Sequence, residues 1–436
     1  RAISLLPAAI LETIIKELLQ RPDAAIKALL YGLSAGYNGL RYKVSQWLTE
    51  NYKPRDRITP DRILISCGAS HNLASILQMF SDPLYTRGIW MIEPTYFLAC
   101  DIFANAGFQG RLHGVPEDDE GVDVEFLRSA LRKEDRGHHG SEHRVKKGNK
   151  FYKHFIYCVP TFSNPSSKTM SLSRRKKLVE IAREFDALVV TDDCYDFLRW
   201  PEDNSIEQTE LGPCPPRLVD IDRSMEGCSK FGNTVSNGTF SKLIGPGVRV
   251  GWAEGTSSFV GALAAAGANQ SGGNPSQLSS SFAHRLLERG VLQQHIATVL
   301  IPAYRRRYSI LMGSIRRHLV PLGVKVLSGA PYRTPSKTES NGEDHVEVGG
   351  FFTYITFPHD LPTADVLADE ASARFSVHFA YGKMFEVEGD NESGVRKGND
   401  FRHAARLCWA WESENFLAEG PERLAELILS LRNDEC

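Results

Sequence analysis

From about residue 60 the chain alternates short β-rich runs with helical patterns, and no other property of the sequence restricts its fold as much. RILISC precedes the helical HNLASILQMF, GIWMIEP precedes another helical stretch, and FIYCVP and ALVVTDD flank SRRKKLVEIAREFD. In that last helix Leu178, Ala182 and Phe185 fall on one face, and Ser173 is the expected N-cap. Such alternation predicts an α/β fold, an open and largely parallel sheet with helices on both faces. Parallel strands all end on one edge, so a site is expected in the residues just after each β-rich run.

The two ends of the chain follow another pattern. AAILETIIKELLQ places Ile10, Ile14 and Leu18 on one face of an amphipathic helix that Arg21-Pro22 should end, ahead of loop-like YGLSAGYNG and a helix in LRYKVSQWLTE. After about residue 290 come a long basic helix around IPAYRRRYSILMGSIRRHL, the β-rich GGFFTYITFP, another helix, RLCWAWE and a closing helix in GPERLAELILSLR. These read as a smaller α+β domain. Stretches 134–150, 202–217 and 329–348 are rich in Gly, Pro, Ser and charge and are expected as surface loops.

Of the 436 residues 42% are hydrophobic and 24% charged, enough for two domains or one large domain with a satellite. A net charge of only -2 argues against nucleic acid or an anionic membrane as partner, which leaves a small-molecule substrate. Eight cysteines lie scattered without CxxC pairs, several in apolar runs such as FIYCVP, and are expected as reduced thiols. No apolar run approaches the roughly 20 residues of a membrane span, and the amino end lacks a secretory pattern, so a cytoplasmic location is expected.

Chemistry enters with GTFSKLIGPGVRVGW, which sets Lys242 among small and apolar residues. An ammonium loses hydration when buried and must be paired, neutralised or used covalently. The residues after the other strands complete a set of parts. Gly68-Ala69-Ser70 opens a helix whose backbone N–H groups suit a phosphate, and Arg249 offers the same anion a bidentate pair. Asp192 ends an apolar strand where a carboxylate needs a cationic partner, with Asp193 its competitor for any role. A lysine amine forms a Schiff base with an aldehyde. The cofactor that uses an aldehyde, a phosphate and a ring nitrogen facing an acid is pyridoxal 5'-phosphate.

These segments also resemble a family, the class I/II aminotransferases of fold type I. GTFSKLIGPGVRVGW is similar to its pyridoxal-phosphate lysine motif, YGLSAGYNGLRYKVSQWL to its Y-G-x-x-x-G…L-R segment, and PTFSNPSSKTMSLSRR to N-P-x-G-x-T-x-S-x-x-R-R. VVTDDCYDFL resembles its D-x-x-Y run, and GGFFTYITFP and RLCWAW…EGPERL its carboxyl-terminal segments. The resemblance implies a large cofactor domain at 48–300 and a small domain from 1–47 and 301–436. It implies Lys242 as the Schiff-base and proton-moving lysine, Asp192 as partner of the pyridinium nitrogen, and Asn164 and Tyr195 as partners of the phenolic oxygen. Tyr96 would stack on the ring, Ala69, Ser70, Thr239 and Arg249 would hold the phosphate with Ser241 close by, and Tyr31 would reach the phosphate of a second subunit in a homodimer. Arg406 would clamp the substrate α-carboxylate beside Asn164, with Arg402 the nearby rival.

The implied reaction is transamination between an L-amino acid, aromatic or 2-aminoadipate-like, and a 2-oxo acid such as 2-oxoglutarate. Rivals on the same fold are a C–S lyase, another pyridoxal-phosphate enzyme of secondary metabolism, and a non-catalytic sensor domain. Two departures bear on the site: the family's N-P-T-G is N-P-S-S here, and Ala69 stands where a serine is usual. No metal is expected, since His138, His139 and His143 share a hydrophilic stretch with Lys and Arg that reads as a solvated loop. Arg305, Arg306 and Arg307 read as a charged helix face, and Cys194 as a buried structural thiol.

Overall fold

Among the described residues nine strands are complete by residue 254: β1 (Ile63–Ser66), β2 (Gly88–Glu93), β3 (Leu112–Asp118), β4 (Gly121–Val122), β5 (His154–Cys158), β6 (Ala187–Asp192), β7 (Arg199–Pro201), β8 (Thr234–Thr239) and β9 (Gly251–Glu254). All but β7 join one sheet in the order β1-β9-β8-β6-β5-β2-β3-β4. From β8 through β3 every pairing is parallel. The inner strands β2 and β5 are buried along their whole length, as a sheet covered on both faces requires. The computed structural model describes residues 3–137, 150–208, 211–273, 275–334, 345–392, 396 and 401–434.

The one reversed inner strand matters for the site. Because β9 runs antiparallel to both neighbours, its first residue, Gly251, lies opposite Thr239 at the end of β8 and Ser66 at the end of β1. A single sheet edge therefore collects the ends of β1, β2, β5, β6 and β8 together with the start of β9. From β2 the chain moves outward to β3, then returns to β5 on the other side. Between β2 and β5 the edge thus opens into the crevice where α/β sheets bind ligands.

The carboxyl-terminal part adds β10 (Lys325–Val326), β11 (Tyr332–Thr334), β12 (His345–Gly349), β13 (Phe352–Thr356), β14 (Ala380–Tyr381) and β15 (Ala404–Cys408). Four of them form an antiparallel sheet in the order β10-β13-β15-β14. The others pair with β7 in the order β11-β12-β7. The stretch 329–348 is therefore not simply a surface loop, because strand pairing claims both of its ends. Nor is 202–217 wholly exposed: Leu211, Cys214 and Arg217 are buried, and Cys214 donates its N–H to Asn51 O at 2.9 Å.

Local chemistry explains other differences from the sequence reading. The first helix, Ala8–Leu19, buries Ile14 and Leu18, but Pro22 starts a second helix, Pro22–Leu29. Proline suits that first helical position because its fixed φ is already helical and its missing N–H would have no partner there. The N-cap of the helix Leu172–Glu184 is Ser171 rather than Ser173, since the Ser171 hydroxyl accepts from Arg174 N at 3.2 Å. Arg307 leaves the charged helix face and is buried, donating to Glu412 O at 2.7 Å. The cysteines among the described residues are all free. No helix among the described residues is long and apolar enough to cross a membrane.

Beneath the sheet lies a buried ion network. Arg217 donates to Asp220 at 2.9 Å and forms an ion pair with Glu254 at 2.7 Å, Arg62 pairs with the same Glu254, and the Tyr52 ring covers Arg217 at 4.2 Å. Removing one member strands charges that water cannot reach. Arg217→Met should lower the unfolding free energy by about 3–5 kcal/mol. Adding Asp220→Asn, which removes the charge left unpaired while Arg62 still holds Glu254, should recover part of that loss, both read by urea denaturation.

Candidate active site

Asp192 is the last residue of β6, opposite Asn237 of the neighbouring β8, and Lys242 follows β8 by three residues. The Lys242 side chain folds back over the sheet edge because Thr239 caps the turn Phe240–Lys242, its hydroxyl accepting from Ser241 N at 3.1 Å. Lys242 Nζ then stands 5.8 Å from the Tyr195 ring centre and 5.5 Å from that of Phe351. Among the described residues it makes no ion pair. Asp192 Oδ2 accepts from Tyr157 OH at 3.3 Å, while Oδ1 is buried with no hydrogen-bond partner. Burial, with Asp193 adjacent, pushes the Asp192 pKa up to about 6, and Lys242 opposes that rise.

The choice between the adjacent carboxylates follows from their surroundings. Asp193 Oδ2 accepts from Thr191 at 2.8 Å and Ser236 at 2.5 Å, and the cations acting on it are Arg217 and Arg175 of the sheet interior. Its Oδ1 is also unpartnered, but it is Asp192 that sits with Lys242, Tyr157 and Tyr96. Burial raises the pKa of the Tyr195 phenol far above its usual range and raises that of Tyr96. Cys194 is buried beside them.

Across the edge, Gly68 ends the β1 turn at φ 105° and caps the helix Ala69–Phe80. A Cβ there would lie 2.8 Å from Arg249 Nη2, so only glycine lets the arginine close over the helix start. Ala69 is half-buried, Ser70 exposed, and Arg249 exposed in the left-handed region at φ 51°. Asn237 ties this helix to β8, donating to Ala69 O at 3.0 Å and accepting from Asn72 at 2.9 Å. The result is a run of free backbone donors beside a guanidinium, a cradle for a phosphate.

Arg406, on β15, crosses to the large sheet and donates to Asn164 Oδ1 at 2.7 Å. Its guanidinium carbon lies 4.1 Å from the Phe352 ring centre and 5.0 Å from that of Phe385. No carboxylate pairs with it among the described residues, and its Nε is buried without a partner. Such a cation, held by rings and an amide, is arranged to receive a carboxylate from outside. Arg402 is exposed. Tyr31 is 87% exposed and does not join the site within one chain.

The sequence profile described as aminotransferase class I and II matches residues 6–327. The chain belongs to this family. An uncharacterised protein of Saccharomyces cerevisiae is 36% identical over 381 residues, which is 84% of this chain and 80% of the yeast protein. Aromatic-amino-acid aminotransferase 1 of Thermococcus litoralis is 28% identical over 425 residues, 97% of this chain and 84% of that one. The crystal structure of Pyrococcus horikoshii kynurenine aminotransferase, in complex with PMP, superposes with a TM-score of 0.75 at 26% identity, covering 99% of this chain and 89% of that one. The fold is that of the fold-type-I aminotransferases.

Within the aminotransferase site, Ser167 stands where the family's N-P-T-G has its glycine. It keeps the left-handed backbone, φ 64°, and its hydroxyl donates to Phe352 O at 2.5 Å. Sequence reasoning missed Tyr157, Asn72 and Asn237, which lie inside β5, a helix and β8 and carry no motif of their own. His138, His139 and His143 fall outside the described residues, among which no cluster of His, Cys, Asp or Glu could hold a metal ion.

The raised Asp192 pKa has a stability consequence. Because the folded value, about 6, exceeds the ordinary 3.8, the native protein binds more protons than the unfolded chain between those values. Stability therefore falls as pH rises through that window. For protein stripped of cofactor, Asp192→Asn should be more stable than wild type by about 3 kcal/mol at pH 8. The difference should vanish near pH 4, as followed by thermal melting.

Proposed function

We propose that the protein is a pyridoxal 5'-phosphate-dependent aminotransferase moving the amino group of an L-amino acid, aromatic or 2-aminoadipate-like, to a 2-oxo acid such as 2-oxoglutarate. The observation that carries this reading is the nearness of Lys242 to Asp192. Among the described residues Lys242 makes no ion pair and Asp192 has a buried oxygen without a partner, the two lie close enough to interact at one sheet edge, and each is incomplete without a group between them. Pyridoxal phosphate, when bound, supplies an aldehyde for the amino group and a ring that draws electrons from the adjacent carbon.

The chain's own residues then divide the work. Asp192 keeps a negative charge where a ring nitrogen needs its proton held. Asn164 and Tyr195 offer hydrogen bonds to the phenolic oxygen, Tyr96 offers a ring face, and the Gly68–Arg249 cradle, with Ala69, Ser70, Thr239 and Ser241, takes the phosphate. Lys242 Nζ would take the proton from the substrate α-carbon and return it two atoms along, to the carbon on the far side of the amino nitrogen. Arg406 receives the α-carboxylate. The rings of Phe351, Phe352 and Phe385 nearby support a bulky, flat side chain in the substrate. Under this reading 48–300 holds the cofactor, and 1–47 with 301–436 forms the smaller unit.

A homodimer completes the proposal. Ile26, Leu29, Leu30, Tyr31 and Leu33 are between 57% and 87% exposed, an apolar run that a second copy would cover while receiving Tyr31. Sedimentation should give a dimer, and a fully active monomer would remove Tyr31 from the site.

The decisive test is spectroscopic. With pyridoxal phosphate supplied, wild type should show a visible band that L-phenylalanine or L-2-aminoadipate bleaches and 2-oxoglutarate restores. Lys242→Ala should lack that cycle, and an unchanged spectrum in this variant would overturn the proposal. Pyruvate and ammonia released from a cysteine conjugate without any 2-oxo acid would instead favour the lyase.

A further inference from the structure

Tyr96 follows β2 of the large sheet and Arg406 lies on β15 of the small one, yet one loop touches the neighbours of both. After β14 the chain makes the turn Gly382–Phe385 and runs along the ends of β2 and β3. It is fastened to the residues just before Tyr96. Thr95 donates its N–H to Phe385 O at 2.9 Å, and Glu93 Oε1 accepts from Val387 N at 2.9 Å. The other Glu93 oxygen accepts from Arg396 at 3.1 Å. Arg396 in turn donates to Asp390 at 2.5 Å, and Asp390 accepts from Gly114 N, on β3, at 2.7 Å.

These groups are withdrawn from water: the Glu93 side chain is 0% exposed, Asp390 9% and Arg396 10%. Glu93 lies flat over β3 because residue 114 is glycine, where a Cβ would fall 2.1 Å from the Glu93 carboxyl carbon. Buried ion pairs of this kind add little net stability, and their best-attested use is to fix one register between packed elements. Here the register has an evident beneficiary. Phe385, fully buried, meets Phe97 edge-on at 5.8 Å and presents its ring to the Arg406 guanidinium.

We infer that the Glu93–Arg396 pair is a positioning device that clips the 382–392 loop to β2 and β3, so that Phe385 holds Arg406 at a set place relative to Tyr96. The inference rests on Arg406 being the carboxylate clamp. It makes Glu93 and Arg396, neither of which touches the substrate, determinants of substrate binding. Breaking the clip frees the loop, lets the guanidinium leave its place between Phe352 and Phe385, and weakens capture of the α-carboxylate while leaving Lys242 and Asp192 alone.

The test uses the holoenzyme with L-phenylalanine as donor and 2-oxoglutarate as acceptor. Glu93→Gln and Arg396→Met should each raise the KM for L-phenylalanine about 10-fold with kcat within about 3-fold, the signature of lost binding rather than lost chemistry. The visible band of the cofactor should not move. Arg396→Lys, which keeps the charge, should fall between Arg396→Met and wild type. In an Arg406→Gln background the two substitutions should add almost nothing, because positioned and positioning groups act as one unit. An unchanged KM in both variants, or the same KM increase with Arg406 absent as with it present, would overturn the inference while leaving the clamp intact. If Arg406→Gln alone leaves KM unchanged, the clamp reading fails first and takes this inference with it. Should Glu93→Gln not fold, Phe385→Leu removes the ring face at similar bulk and must show the same KM increase.

Discussion

A carboxylate at the end of a buried central strand, with one oxygen left unpartnered, is the condition around which this molecule is organised. Asp192 ends β6 with strands on both sides and helices above and below, where an uncompensated negative charge is costly. The fold answers with one phenol, Tyr157, and with Lys242 close enough to oppose the rise in its pKa. The same constraint explains the neighbouring Asp193, whose charge is met by hydroxyls and by the arginines of the interior. Two adjacent acids serve opposite ends because successive residues leave a strand in opposite directions.

The second organising element is a cation rather than an anion. Arg406 has no acid of its own among the described residues and is kept in place by the Asn164 amide and the faces of Phe352 and Phe385. Each support arrives from a different part of the chain: Asn164 after β5, Phe352 on β13, Phe385 from the loop after β14. Ser167 binds the first of these to the second, accepting a left-handed backbone and returning a hydrogen bond to Phe352 O. The place of Arg406, proposed as the carboxylate receptor, depends on how the two sheets are set against each other.

Much of this was legible beforehand, for local reasons. Lys242, Asp192 and the Gly68 turn stood out because each breaks a pattern: a charge in an apolar run, an acid ending a hydrophobic strand, a glycine before a helix. The misreadings share another cause. Leu211, Cys214 and Arg217 sit in a stretch whose composition reads as loop, and Arg307 sits in a run that reads as charged surface, yet all are buried by partners distant in sequence. Composition reports what a residue prefers, and burial depends on what arrives beside it.

The sequence by itself determined the parallel α/β sheet, the edge at which its strands end, and the chemical kinds of group gathered there. Periodicity and turn residues act over a few positions, so these survive without knowledge of the rest. Only the tertiary structure decided which carboxylate faces the lysine, that Tyr157 supports it, that Arg406 lies between two rings, and that Glu93 and Arg396 meet across the loop after β14. Each of those facts joins residues separated by tens to hundreds of positions, and no local pattern encodes a contact whose energy exists only after the chain has closed upon itself.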